Sequence, residues 1–266
     1  MRKFKKILLT IAVVLVLGGL VWLIVAVRNV RVQTTCKEVS INIRYSTSDV
    51  IITEKQISDI AEANGKLENQ PIEKIDIAAL KKRIEEQPYA SHVDIKSSID
   101  GILKISLVQR EPLVRVFNQD GDTYYIDREG ILLPVMNGTA TRLITASGFI
   151  AQKYTNENRF RLADKKTDSV ELASEPLFKV YKIASYIDKK PFLKALAEQI
   201  YINDKNEIEI IPKVGDQVIM FGDMDRIEEK FSYLKAFYRN EMNNGGWDKY
   251  ATINLKYKNQ VVCTKN

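Results

Sequence analysis

The sequence is nearly without histidine: His92 is the only one in 266 residues. Histidine is the usual general base near neutral pH and a common metal ligand, so most acid–base and metal-assisted mechanisms lose their customary group. His92 follows Ser91 on an expected strand, where neighbouring side chains face opposite ways, and the two do not make a nucleophile–base pair. A structural or surface role is expected for it. Cysteine is as scarce, with Cys36 and Cys263 alone. Zinc needs clustered His and Cys, and these three residues have no ligand spacing. Two cysteines make no disulfide framework; a bridge and two separate thiols both stay open. There is no glycine-rich phosphate loop, repeat or low-complexity segment. The acidic group Asp120, Asp122, Asp127 and Glu129 lacks EF-hand spacing, and its Asp and Gly residues suit hairpin turns. No serine–lysine pair stands out. Neither an enzyme, a metal nor a cofactor is expected.

Long apolar runs are also few. Only Ile7 to Val27 is uninterrupted by charge, and about 20 residues at roughly 1.5 Å rise cross a bilayer core of about 30 Å. The run is too long for a cleaved signal peptide and ends on Ile24-Val25-Ala26-Val27 rather than a small-x-small site. Gln33-Thr34-Thr35 before Cys36 is not a lipoprotein lead-in. The expectation is a single uncleaved anchor at 7–27. Arg2, Lys3, Lys5 and Lys6 precede it against Arg28 and Arg31 after it, which places the tail 1–6 in the cytoplasm and the rest outside. Gly18-Gly19 is a weak helix-packing signal. The net charge of +6 is spread among 34 acidic residues, which argues against nucleic-acid binding. With 45% hydrophobic and 28% charged residues, the composition is globular, neither a multi-span transporter nor a disordered chain.

After the anchor, Val39, Ile41, Ile43 and Tyr45 alternate with polar residues as a half-buried strand does. Thr53 and Gln56 stand at capping-box spacing before Ile57, Ile60 and Ala61, with Gly65 as a stop. Asp76 caps a second helix carrying Ile77, Leu80 and Ile84 and ending before Pro88. Strands near His92–Ile99 and Ile102–Gln109 flank Asp100-Gly101, a two-residue hairpin signal. This α+β module spans 36–110. From Glu111 to 264 the pattern becomes strands and turns: Leu113–Phe117, Thr123–Ile126, Ile131–Leu133, Arg142–Ala146, Gln199–Asn203, Glu207–Ile211 and Gln217–Phe221. Two helices interrupt them, one opened by Ser174 and one by Asp225 with Glu228 at capping-box spacing. A hairpin, Thr252–Tyr257 with Gln260–Cys263, closes the chain. The second domain is expected to be mainly antiparallel β with two helices, and Arg110-Glu111-Pro112 to be the hinge.

These residues carry a resemblance. The basic tail, the anchor and the strand-helix-helix-strand-strand module ending in Val108-Gln109-Arg110-Glu111-Pro112 resemble the POTRA module of the FtsQ/DivIB family. Arg115-Val116-Phe117 with Tyr124-Tyr125-Ile126-Asp127-Arg128-Glu129-Gly130-Ile131-Leu132-Leu133-Pro134 resembles the start of that family's β domain, in the style of its Bacteroidetes branch. Ile253-Asn254-Leu255-Lys256-Tyr257 is similar to its closing strand, where Asn254 and Lys256 depart from an aspartate and an arginine; lysine lacks the planar fork of arginine. The resemblance implies a non-enzymatic inner-membrane division factor that recruits the FtsB–FtsL pair, and through it the septal peptidoglycan synthase. Competing readings are a POTRA-bearing outer-membrane assembly or secretion component, which normally has several modules and a barrel, and a tethered periplasmic hydrolase, which unaltered function after joint replacement of Ser91 and His92 excludes. The resemblance directs attention to the last hairpin. There Asn254, Lys256, Tyr257, Gln260, Val261, Val262 and Cys263 are the expected partner-binding residues, offering a sheet edge to a partner strand. Tyr257 and Lys256 flank the contact, 261–263 supply the ladder, and proline at Val262 is expected to abolish it.

Overall fold

The computed structural model describes residues 13–23, 34–47, 49–136, 142–160, 162–163, 174–241, 245, 247 and 249–266. The expected tail 1–6 and both ends of the expected span lie outside these residues; 13–23 are helical and exposed. Among the described residues no helix is long and apolar enough to cross a membrane. The chain forms two compact units, one up to Gln109 and one from Arg110.

In the first unit the order is β1 (Glu38–Arg44), α1 (Glu54–Ala61), a 3₁₀ turn (Ile72–Lys74), α2 (Ile77–Glu85), β2 (Ala90–Ser97) and β3 (Ile102–Gln109). β3 is central, parallel to β1 and antiparallel to β2. The capping box is present: the Gln56 amide N–H donates to Thr53 Oγ1 at 3.3 Å and the Thr53 N–H to Gln56 Oε1 at 2.8 Å. Asp76 accepts from the Ala79 N–H at 2.9 Å. Ile57, Ala61, Leu80 and Ile84 are buried with Leu103, Ile105 and Leu107, so each helix lays its apolar stripe on one face of the sheet. The hairpin turn runs over Ser98–Gly101, with Gly101 N–H donating to Ser98 O at 3.2 Å, a longer turn than the two-residue one expected. β2 bulges between Ser91 and Asp94, and His92 sits there at φ 49°. Ser91 is buried and its Oγ donates to the Val108 carbonyl at 2.9 Å. That hydroxyl closes the sheet at the bulge.

The second unit has β4 (Pro112–Phe117), β5 (Thr123–Asp127), β6 (Leu132–Pro134), β7 (Ile144–Gly148), α3 (Pro176–Asp188), α4 (Pro191–Leu196), β8 (Ala197–Ile202), β9 (Ile208–Pro212), β10 (Val218–Gly222), α5 (Ile227–Asn240), β11 (Tyr250–Asn254) and β12 (Val262–Lys265). The strands form one nine-stranded sheet, β12-β11-β10-β9-β8-β7-β4-β5-β6. The sheet is mainly antiparallel, as expected, with three parallel pairs, β4–β7, β7–β8 and β10–β11. The expected two helices are corrected: among the described residues the domain carries three, since the short α4 starts at a proline and has too few residues to show a period. Asp225 is not the cap of α5: Arg226 intervenes at φ 47° with no side-chain cap bond, and Asp225 instead pairs with Lys230 and Arg226.

α3 begins with Pro176 at its first turn, where the missing N–H has no helical partner to lose. Its Leu177, Val180, Ile183, Ala184 and Ile187 face the core with Val114, Ile200, Ile202, Ile210, Ile219 and Phe221. Ile183 is fully buried, and truncating it to alanine removes about 2–5 kcal/mol. α5 adds Phe231, Leu234 and Tyr238 to the same core; Phe231 stacks on Tyr186 at 4.9 Å and meets Phe221 at 4.8 Å. α3 packs on β4 and β8, across the middle of the sheet.

Candidate functional site

The last hairpin gains its shape from β10. In the parallel β10–β11 pair Met220 lies beside Asn254, and the Leu255 N–H donates to the Met220 carbonyl at 2.9 Å. Backbone groups alternate sides along a strand, so those of Ile253 and Leu255 face β10 while those of Thr252 and Asn254 face β12. The antiparallel register sets Thr252 against Thr264, Ile253 against Cys263 and Asn254 against Val262. Val262 and Thr264 thus spend their N–H and C=O groups on β11. The backbone of Cys263 points the other way, off the sheet. β12 is the end strand, and among the described residues no strand lies beyond it.

The expected contact residues divide accordingly. Asn254 ends β11 and its Oδ1 accepts from the Lys256 N–H at 3.0 Å, which turns the chain out of the sheet. Lys256 Nζ is held by Glu207 at 3.1 and 3.2 Å, and this ion pair draws the Glu207 carboxyl below its usual range. Tyr257 is half exposed and Gln260 is exposed. Asn259, at φ 60°, makes the turn. Val261 and Cys263 lean on the core, whereas the Val262 side chain is on the outer face, 41% exposed. Burial pushes the Cys263 thiol up, so it stays neutral. Both cysteines are free.

Sequence reasoning missed the braces of this edge. Arg226, in its left-handed conformation, donates from Nη2 to the Lys256 carbonyl at 3.1 Å and so fixes the loop after β11. Lys230 is buried and reaches Asp223, by carboxylate and carbonyl at 2.9 Å each, and Asp225. Only the Asp-x-Asp spacing hinted at a cation partner. The ladder also runs past Cys263, through Thr264 to Lys265.

The opposite edge of the sheet is closed. The β5–β6 register leaves the Leu132 N–H pointing outward, and the Arg159 carbonyl accepts it at 2.8 Å; Pro134 ends that strand with no N–H at all. Leu132 and Leu133 are buried. Sheets cover or blunt an edge to prevent pairing, and here β6 is covered, whereas among the described residues no strand pairs with the outer side of β12.

Residues 111–264 match the family model described as FtsQ/DivIB, C-terminal related, and residues 34–108 match the model described as POTRA-like domain. No curated protein matches the chain significantly.

Proposed function

The chain belongs to the FtsQ/DivIB family, and we propose on that premise that it is a non-enzymatic scaffold of the division machinery, tethered to the inner membrane by residues 7–27. The tail 1–6 is cytoplasmic and both folded units lie outside. The partner is the FtsB–FtsL pair, taken up as an added strand along β12. Asn254, Lys256, Tyr257, Gln260, Val261, Val262 and Cys263 surround that contact. The observation that supports the edge most is its contrast with β6: one end of the sheet is sealed by the Arg159 carbonyl and Pro134, and at the other the Cys263 backbone has no partner strand among the described residues. β-Augmentation takes affinity from main-chain hydrogen bonds and specificity from alternate side chains. Tyr257 and the outward Val262 supply those side chains.

Affinity capture of the intact protein from membranes tests this. Small single-span coiled-coil proteins are expected among the captured chains, and their absence counts against the assignment. Protease added outside spheroplasts should digest everything after Val27; protection of that part refutes the orientation.

A further inference from the structure

A cleft of about 530 Å³ lies in the second unit, at the start of three parallel strands. β7 begins late. Its first residue, Ile144, is level with Val114 of β4, and its Thr145 with Gln199 of β8. Pro112-Leu113 and Ala197-Glu198 therefore overhang on either side and leave a notch in the sheet. The floor is apolar, with Leu113, Ile144, Ala184, Ile187 and Ala197. Five cations line it, Arg115, Arg128, Arg142, Lys194 and Lys213, against two carboxylates, Asp188 and Glu198.

The cations are not equivalent. Asp188 occupies two of them, Arg128 at 3.1 Å and Lys194 at 2.7 Å, and Glu111 also holds Arg128. Arg115 is set in place without being neutralised: its guanidinium lies 4.9 Å from the Phe117 ring centre and 5.8 Å from that of Tyr125, and its Nε donates to Thr123 Oγ1 at 3.2 Å. Among the described residues its two Nη groups have no hydrogen-bond acceptor. Arg142 is exposed, with no ion-pair partner among the described residues. Among the described residues Lys213 donates only to the Lys194 carbonyl, at 3.1 Å. A guanidinium fixed by ring faces and one nitrogen presents a pre-formed fork for a carboxylate.

We propose that this notch is a second docking site, for a short extended acidic segment of a partner protein. Carboxylates meet Arg115, Arg142 and Lys213, while an aliphatic side chain between them lies on the Leu113–Ile144–Ile187 floor. The volume fits a few residues and not a folded domain. β9, β10 and β11 separate the notch from the β12 edge, so two partner segments can be held at once.

The probe is a fluorescein-labelled peptide, Glu-Leu-Asp-Glu-Leu-Asp, titrated by anisotropy into the full chain in detergent at low salt. Binding is expected to weaken about tenfold or more in the double variant Arg142→Glu/Lys213→Glu, whose side chains are both exposed. Glu198→Gln, which removes a competing carboxylate, is expected to tighten it. Lys205→Glu, an exposed charge outside the cleft, is expected to leave it unchanged. A peptide of glutamates alone should bind more weakly, because it forgoes the floor. Equal binding by the double variant with an unchanged thermal transition overturns the proposal. So does equal loss in Lys205→Glu, which marks attraction to the overall positive charge only. Cys263→Pro, aimed at the β12 edge, is expected to leave this peptide's affinity unaltered, and a failed peptide titration says nothing against that edge.

Discussion

The substitutions Val262→Pro and Cys263→Pro differ by one position and are expected to act on different properties. The Val262 N–H faces Asn254 across the hairpin. Proline there removes one ladder bond, worth about 1 kcal/mol net, and leaves the Asn254 carbonyl without its donor while the ring crowds the ladder. A loss of about 2–3 kcal/mol follows. At about 2–4 °C per kcal/mol for a body of this size, the transition falls by roughly 5–10 °C. The Cys263 N–H faces away from β11, so proline at that position loses no internal bond, as edge strands tolerate. It restricts Val262 to an extended conformation that Val262 already has. What goes is the packing of a half-buried thiol, below about 1 kcal/mol. Cys263→Pro should therefore melt within a few degrees of the parent yet fail to capture the partner, having lost the one outward donor at the centre of β12. Thermal scans on the full chain, with capture from membranes, read both properties. An unperturbed Val262→Pro transition refutes the register argument. A stable Cys263→Pro protein that captures its partner normally refutes the edge as the contact. The earlier expectation that proline at Val262 abolishes the contact is moved to Cys263, because periodicity alone does not tell which side of a strand its N–H groups face.

Three further substitutions probe the scaffold. Lys230→Met should cost no more than about 1 kcal/mol, because Lys230 is 2% exposed while Asp223 and Asp225 are 71% and 48% exposed and stay solvated without it; the double variant Asp223→Asn/Asp225→Asn, which leaves the buried ammonium without a counter-charge, should cost about 3 kcal/mol, and an inverse order by denaturant titration contradicts this. Gln109→Leu should cost about 2–5 kcal/mol, since Gln109 Oε1 accepts the buried N–H groups of Ile51 and Ile52 at 2.7 and 3.1 Å and its Nε2 donates to the Asp49 carbonyl at 2.7 Å; an unchanged melting temperature is the contrary result. For Asp188, burial alone raises the pKa, but hydrogen bonds from Lys194 and Arg128 outweigh it and hold the carboxyl below its ordinary 3.8. A depressed acid gives stability that is present above the ordinary value and lost as pH falls through the folded one. Asp188→Asn should flatten the acid limb of a melting profile below about pH 5, and an identical limb in both proteins dismisses the linkage.

Much of the fold is written in local signals. The Thr53–Gln56 box and the Asp76 cap form at the residues that advertise them, because capping bonds span three residues and need no tertiary help. Asp127 belongs to the same class: its Oδ1 accepts from Glu129 and Ile131 at 2.8 and 2.7 Å, the turn chemistry that its sequence suggested over calcium. The capping spacing at Asp225 and Glu228 misled for the complementary reason. Lys230, five positions on in the helix, is buried by tertiary packing and takes the Asp225 carboxylate as its counter-charge in place of the cap. Parallel pairing of β4 with β7 and of β7 with β8 joins strands far apart in sequence, and strand periodicity is the same for parallel and antiparallel neighbours. The site was legible only as a terminal hairpin. Its braces, Arg226 and Glu207, come from other elements, and the cationic notch exists only because β7 starts late against both neighbours.

The closed edge at β6 also fixes on which side the large sheet can be extended. A sheet open at both ends can add neighbours without limit and grow into a fibre. With Leu132 already bonded to Arg159 and Pro134 lacking a donor, this sheet can be extended only from the β12 side. Two copies meeting edge to edge would close as a pair and consume both acceptors. If β12 takes up a partner strand as proposed, occupation by that partner and self-pairing through the same edge exclude each other.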